Sequence, residues 1–179
     1  PETLGLSPLT GEVVTIGVYD LERKEGVVYY QSNQTVDDWQ DGGFHFRSRT
    51  EKEMLQDFWE GAKSYDIFAT FAGTLFDVPF LNIRSAVHEI TPTKELLNHR
   101  YITRQKGVHH VDLQDELSFY GAFSRRPSLH MSCEVFGIKS SKKAGVSGGD
   151  VAELFANKKF RDIATYNARD VIATAELYK

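Results

Sequence analysis

Residues 66–81 read D-I-F-A-T-F-A-G-T-L-F-D-V-P-F-L. Asp66 to Phe71 is an apolar run of strand length, Ala72-Gly73 interrupts it, and F-D-V-P-F-L continues as a helix with Pro79 in its first turn, where a missing N–H is tolerated. A strand, a turn and a helix in succession point to an α/β protein. Asp77 stands inside the apolar run, between Phe76 and Val78. A carboxylate there is costly to bury unless it is paired, caps the helix or binds a metal. Because Asp is a favoured N-cap, capping competes with any functional reading of this residue.

Upstream, Glu12 to Asp20 and Gly26 to Tyr30 are β-branched and aromatic runs joined by the polar turn L-E-R-K-E, which predicts an antiparallel hairpin. Gly43 to Phe46 adds a third strand. Thr50 opens T-E-K-E with Glu53 three residues on, a capping box, and Met54, Leu55, Phe58 and Trp59 fall on one helical face. Downstream, the pattern predicts a short helix over Thr91 to Tyr101, a buried strand over Val108 to Leu113 and a helical turn over Asp115 to Tyr120. A helix from Ser128 to Phe136 buries Leu129, Cys133 and Phe136 and stops at Gly137. Lys139 to Gly149 is a loop and a helix runs through Val151, Leu154 and Phe155. A last helix from about Lys159 carries Phe160, Ile163, Asn167, Val171, Thr174 and Tyr178 at helical spacing. A meander of strands followed by strands alternating with helices predicts a mixed α/β sheet covered on both faces. With no repeat and no linker, residues 1–179 form a single domain.

Composition agrees. The 179 residues are 41% hydrophobic and 26% charged, the balance of a globular domain rather than a disordered one. A chain of this length buries roughly 70% of its unfolded surface, enough for a core without staples. Cys133 is the sole cysteine, so no internal disulfide exists, and a reducing compartment, the cytoplasm, is expected. No apolar stretch approaches a membrane span, and the first residues lack the pattern of a signal peptide. The net charge of −4 conceals an asymmetry: residues 1–90 hold 7 Lys and Arg against 15 Asp and Glu, whereas residues 91–179 hold 14 against 10. An acidic half suits a carboxylate site for cations, and a basic half suits a polyanion, although ordinary charged surface would give the same count.

Two further acidic residues stand out beside Asp77. Glu2 precedes the first hairpin in P-E-T-L-G-L. Asp170 lies in Y-N-A-R-D-V on the last helix, one turn after Tyr166 and on the same face, an arrangement a surface pair would share.

Together, E-T-L-G-L, F-D-V-P-F-L and Y-N-A-R-D-V resemble in order and spacing the three motifs of the DnaQ-like (DEDD) 3'-5' exonucleases, most of all the branch related to the proofreading domain of B-family DNA polymerases. H-H-V-D-L-Q-D-E-L at 109–117, the S-L…C…G-I run at 128–138 and K-K-F-R-D-I-A-T-Y-N-A-R-D-V match too, so the resemblance covers nearly the whole chain. It implies a ribonuclease H-like fold and the removal of nucleotides from the 3' end of single-stranded DNA or RNA. It also implies that Glu2, Asp77 and Asp170 hold two divalent cations, Mg²⁺ or Mn²⁺. Hard cations prefer oxygen ligands, and paired metals can neutralise both the attacking and the leaving oxygen of a phosphodiester. Relatives place either His five residues before the last Asp or Tyr four before it; here these positions are Thr165 and Tyr166, so Tyr166 is the residue implied to orient water. Thr3, Leu6, Gly73, Phe76 and Asn167 are the implied substrate contacts, although Leu6, Phe76 and Phe80 also read as core.

Two departures qualify the resemblance. The family's first motif is D-x-E, and its Asp would fall immediately before Pro1; Asp20-Leu21-Glu22 has the same spacing but sits in a hairpin turn. Ala72 stands where relatives often carry Asn. A non-catalytic nucleic-acid-binding module that lost a ligand is therefore the alternative, while a resolvase-like nuclease fits the Y-N-A-R-D-V ending poorly. His109 and His110 read as positional, since this chemistry wants oxygen donors. The 146–150 turn reads as a flexible turn and helix cap sooner than a phosphate cradle. Lys139, Lys142, Lys143, Arg125 and Arg126 could steer a phosphate backbone or simply be solvated.

Overall fold

A computed structural model describes residues 7–32, 37–99, 102–139 and 150–179. Glu2, Thr3, Leu6, Lys142, Lys143 and the 146–149 turn lie outside the described residues.

The predicted hairpin is present as β1 (Thr15–Asp20) and β2 (Glu25–Tyr30), antiparallel with Ile16 opposite Tyr29. Asp20 stabilises its turn by accepting from the Glu22 and Arg23 N–H groups. The third strand differs from expectation in direction. β4 (Phe44–Ser48) runs parallel to β2, and it pairs on its other side with β3 (Trp39–Asp41), which the sequence pattern did not reveal. The β3–β4 link is a two-residue turn, Gly42-Gly43, with φ of 55° and 82°; both central residues of that turn type need positive φ, which glycine supplies.

Side chains alternate along β2 and so distribute two cores. Tyr29 faces α1 (Glu51–Ala62) and α2 (Asp77–Val87), where Met54, Leu55, Trp59, Val78 and Phe80 are buried. Val28 and Tyr30 face the opposite way, against Phe160, Ala164 and Ala168 of α6 (Phe160–Tyr178). The sheet is thus covered on both faces, as predicted. The capping box forms: Thr50 Oγ1 accepts from the Glu53 N–H and the Glu53 carboxylate accepts from the Thr50 N–H. Trp59 donates to Ser85 Oγ at 2.8 Å, which joins α1 to α2 through two buried side chains.

β5 (Ile67–Thr70) and β6 (His109–Asp112) pair in parallel. Among the described residues they form a sheet of their own, separate from the order β1-β2-β4-β3, so the expected single sheet is seen as two. Helix α6 packs on β1 and β2 and also touches β5, spanning both.

Three local expectations are corrected. Residues 91–99 are not a helix; a 3-10 turn follows at Ile102–Arg104. Side chains there bond the backbone of other segments instead, Thr93 Oγ1 to the Trp59 carbonyl and Asn98 Nδ2 to the Lys106 carbonyl, which competes with helix formation. Helix α3 (Leu113–Leu117) starts earlier than predicted because Asp112 caps it, accepting from the Gln114 N–H. Helix α4 (Leu129–Val135), capped by Ser128, buries Cys133 but leaves Phe136 59% exposed, since Gly137 at φ 69° ends the helix before Phe136 can join the stripe. Helix α5 (Val151–Ala156) lies where expected.

The C-terminal end of α2 is pinned by a buried carboxylate. Glu51 accepts from Arg84 Nε and Arg84 N–H2, both at 2.8 Å, contacts His88 Nε2 at 2.6 Å, and accepts the Val13 N–H at 2.7 Å. Burial alone would push Glu51 up, but the Arg84, His88 and Val13 donors outweigh it and hold the carboxyl below its ordinary range.

Candidate active site

Strands β5 and β6 end side by side, with Thr70 opposite Asp112. In parallel α/β layers, ligands bind in the crevice outside such carboxyl ends. From Thr70 the chain turns through 71–76 and enters α2 at Asp77. Asp112, only 1% exposed, fastens that turn: Oδ1 accepts from the Ala72 N–H at 2.9 Å, and Oδ2 accepts from the Thr74 N–H at 3.0 Å and the Thr74 hydroxyl at 2.6 Å. These bonds hold Ala72 at φ 59°, a conformation a non-glycine residue adopts only when its surroundings enforce it. Gly73 lies so close to Thr70 that a Cβ would collide with the Thr70 hydroxyl.

His110 is a positional residue, as predicted. Its Nδ1–H donates to the Leu96 carbonyl and its Nε2 accepts from the Thr70 hydroxyl, each at 2.8 Å, while burial holds its pKa below the ordinary value and the ring stays neutral.

Asp77 does not cap α2. It is the first helical residue; the N-cap position belongs to Phe76, and no side chain there bonds the helix. The capping alternative is thereby set aside. Its carboxyl is pushed up to about 6, first by the protein crowded around it and then by the charges of Asp112 and Asp170. Asp77 as a residue is nevertheless exposed, so part of it meets solvent while its carboxyl is crowded by protein. Phe76 is 43% exposed and leans against the buried Phe80, ring centroids 4.8 Å apart. Phe80 is core; Phe76 is open at the site.

The other half comes from α6, where Tyr166 and Asp170 are half-buried and one turn apart. Close approach of α6 to β1 sets their depth: a Cβ on Gly17 would strike the Asn167 amide oxygen and come within 2.8 Å of Val171. Asn167 therefore lies in the α6–β1 interface rather than on an open surface, and its buried oxygen has no hydrogen-bond partner among the described residues. Asp170 also bears on Cys133, whose thiol is pushed up by burial and then by that charge.

Of the residues singled out in the sequence, the fold brings Gly73, Phe76, Asp77 and Asp170 to one end of the parallel strands, with Tyr166 a turn from Asp170. Asp112 and Thr74 were missed as organisers; the signal was an Asp at a strand end two residues before a helix-forming Q-D-E-L. Among the described residues no group of three or more His, Cys, Asp or Glu side chains stands in metal-holding geometry. Asp77 and Asp170 do offer hard oxygen donors, and a divalent cation would offset the burial and neighbouring charges that raise Asp77. The donor chemistry fits Mg²⁺ or Mn²⁺.

A family model described as a predicted 3'-5' exonuclease related to the exonuclease domain of PolB matches residues 26–179. The chain belongs to this family. The matched span contains Asp77, Tyr166 and Asp170 of this exonuclease family member, and it begins after Glu2. No curated protein matches the chain. Membership implies a nucleic-acid substrate, and no helix among the described residues is long and apolar enough to cross a membrane.

Proposed function

We propose that the protein is a metal-dependent 3'-5' exonuclease of ribonuclease H-like fold that hydrolyses phosphodiester bonds at the 3' end of single-stranded DNA or RNA. The observation that carries this reading is the Asp77 carboxyl, raised first by burial and then by the charges of Asp112 and Asp170 at the carboxyl end of parallel strands, in a chain of an exonuclease family. Strained like-charge clusters of this kind mark sites built for a missing counter-charge.

Asp77 and Asp170, with Glu2, would hold the cations, which when bound supply charge neutralisation at the reacting phosphodiester and a more acidic attacking water. The protein's own groups do the rest. Thr74 and Ala72, anchored by Asp112, fix where Asp77 stands. Tyr166, a turn before Asp170, orients the attacking water. Phe76 offers an open ring to the terminal base, while the buried Gly73 serves the turn itself, packed against Thr70. Thr3 and Leu6, outside the described residues, are the further contacts that the family resemblance implies.

The test is a degradation assay with Mn²⁺ or Mg²⁺ on 3'-labelled and 5'-labelled single strands, run on this chain and on a form with Asp placed immediately before Pro1. The expected result is stepwise loss from the 3' end, abolished by Asp170→Ala. If neither form trims and both still bind single strands, the enzyme reading is overturned in favour of a binding module.

A further inference from the structure

The turn after α3 carries three large rings that point at solvent. Phe119, Tyr120 and Phe123 are 73%, 51% and 54% exposed within five residues, and Arg125 and Arg126 follow at once, both exposed. Exposed aromatics in such density are unusual on a soluble surface and mark a contact site.

This turn is rigid. Phe119, Tyr120 and Gly121 take successive left-handed conformations, φ 49°, 55° and 91°, which two aromatic residues adopt only under constraint. The constraint is visible: the Tyr120 N–H donates to the Asp115 carbonyl at 2.7 Å, the Phe123 N–H to the buried Ser118 carbonyl at 2.9 Å, and the Tyr120 hydroxyl to the Glu116 carboxylate. The far end is anchored as well. Gln114 Nε2 donates to the Pro127 carbonyl at 2.9 Å, and Arg126 pairs with Asp115 at 3.2 Å. Both ends are thus fastened to the first turns of α3, whose N-cap is Asp112, the residue that holds the Asp77 turn. Five residues of helix span only about 8 Å, and through them the turn is tied to Asp112.

Flat rings beside the exposed Arg125 guanidinium suit a nucleic-acid strand by chemistry, while Arg126 is taken up by Asp115. Bases stack on aromatic faces whatever their sequence, and Arg neutralises the phosphates between them. We propose that the 118–126 turn is a stacking platform for the single strand, gripping nucleotides upstream of the 3' end. This rests on the exonuclease reading of Asp77 and Asp170 and adds the surface that holds the substrate's body.

The experiment is fluorescence anisotropy with labelled oligo-dT and oligo-U of about ten nucleotides, in EDTA so that nothing is cleaved. The wild-type chain is compared with an alanine set (Phe119→Ala, Tyr120→Ala, Phe123→Ala), a leucine set at the same positions, and a Phe119→Tyr, Phe123→Tyr pair. The alanine and leucine sets are expected to bind about tenfold or more weakly with unchanged circular dichroism, while the tyrosine pair binds as wild type. An alanine set that binds like wild type overturns the platform alone, and trimming lost on Asp170→Ala then still stands for the exonuclease reading. A leucine set that binds like wild type shows a generic apolar face suited to a protein and overturns stacking. Wild-type protein that binds neither oligonucleotide overturns the platform and the nucleic-acid reading together.

Discussion

Helix α2 carries a carboxylate contact at each end, and the two ends obey opposite rules. At its C-terminal end, Arg84 and His88 satisfy the buried Glu51, which is held below the ordinary carboxylate range. At its N-terminal end, Asp77 is pushed up to about 6, first by burial and then by the charges of Asp112 and Asp170. A charge that only builds the fold is neutralised by the fold. A charge left uncompensated by its own chain breaks that rule, and such local violations cluster at functional sites.

The contrast can be broken from either end. The largest effect is expected at Asp170: Asp170→Ala should lower 3' trimming by more than about 10³-fold, roughly 4 kcal/mol of transition-state stabilisation, while circular dichroism stays unchanged. Unfolding instead would mean that Asp170 is structural. Glu51→Ala should cost about 3 kcal/mol of stability, because Arg84 is left unpaired among buried groups; urea midpoints measure this. Since Glu51 has a lowered pKa in the fold, its contribution is complete above the ordinary carboxylate range and is lost as pH falls through the folded value, so the gap between wild type and variant should close in acid.

Gly17→Ala should cost about 2 kcal/mol, since the methyl meets Asn167 and Val171 and must displace α6. Moving α6 also moves Asp170, so trimming should fall with stability. The smallest effect has the opposite sign. Asp77 has a raised pKa, so its destabilising contribution is absent below about pH 4, develops as pH rises through about 6 and is full above that. Asp77→Asn should therefore be more stable than wild type above pH 6 in EDTA, by on the order of 1 kcal/mol after allowance for solvent screening of an exposed group. Melting temperatures across pH 4–8 read this directly.

How much of this was legible in the sequence follows from how local each signal is. The hairpin, the Thr50 capping box, the 66–81 strand–turn–helix and the last helix all rest on periodicity and caps within a few residues, and all are present. The parallel direction of β4, the irregular 91–99 segment and the exposure of Phe136 depend on distant partners or on a single terminating glycine. Asp77 and Asp170 stood out because an apolar run and a helical stripe made their charges conspicuous. Asp112 did not: the local pattern before Q-D-E-L marks it only as a helix cap, while its bonds to backbone N–H groups 38 to 40 residues away are written in no local pattern.

The most direct test of the contrast is a calorimetric titration of Mn²⁺ into the protein at pH 6 in two buffers of different ionisation enthalpy. A carboxyl that titrates near 6 is partly protonated there, so binding must expel a proton and the measured heat must depend on the buffer. The account predicts Mn²⁺ binding with proton release, both lost in Asp77→Asn and Asp170→Asn. Binding that is unchanged in Asp77→Asn, or heats independent of buffer, would contradict it.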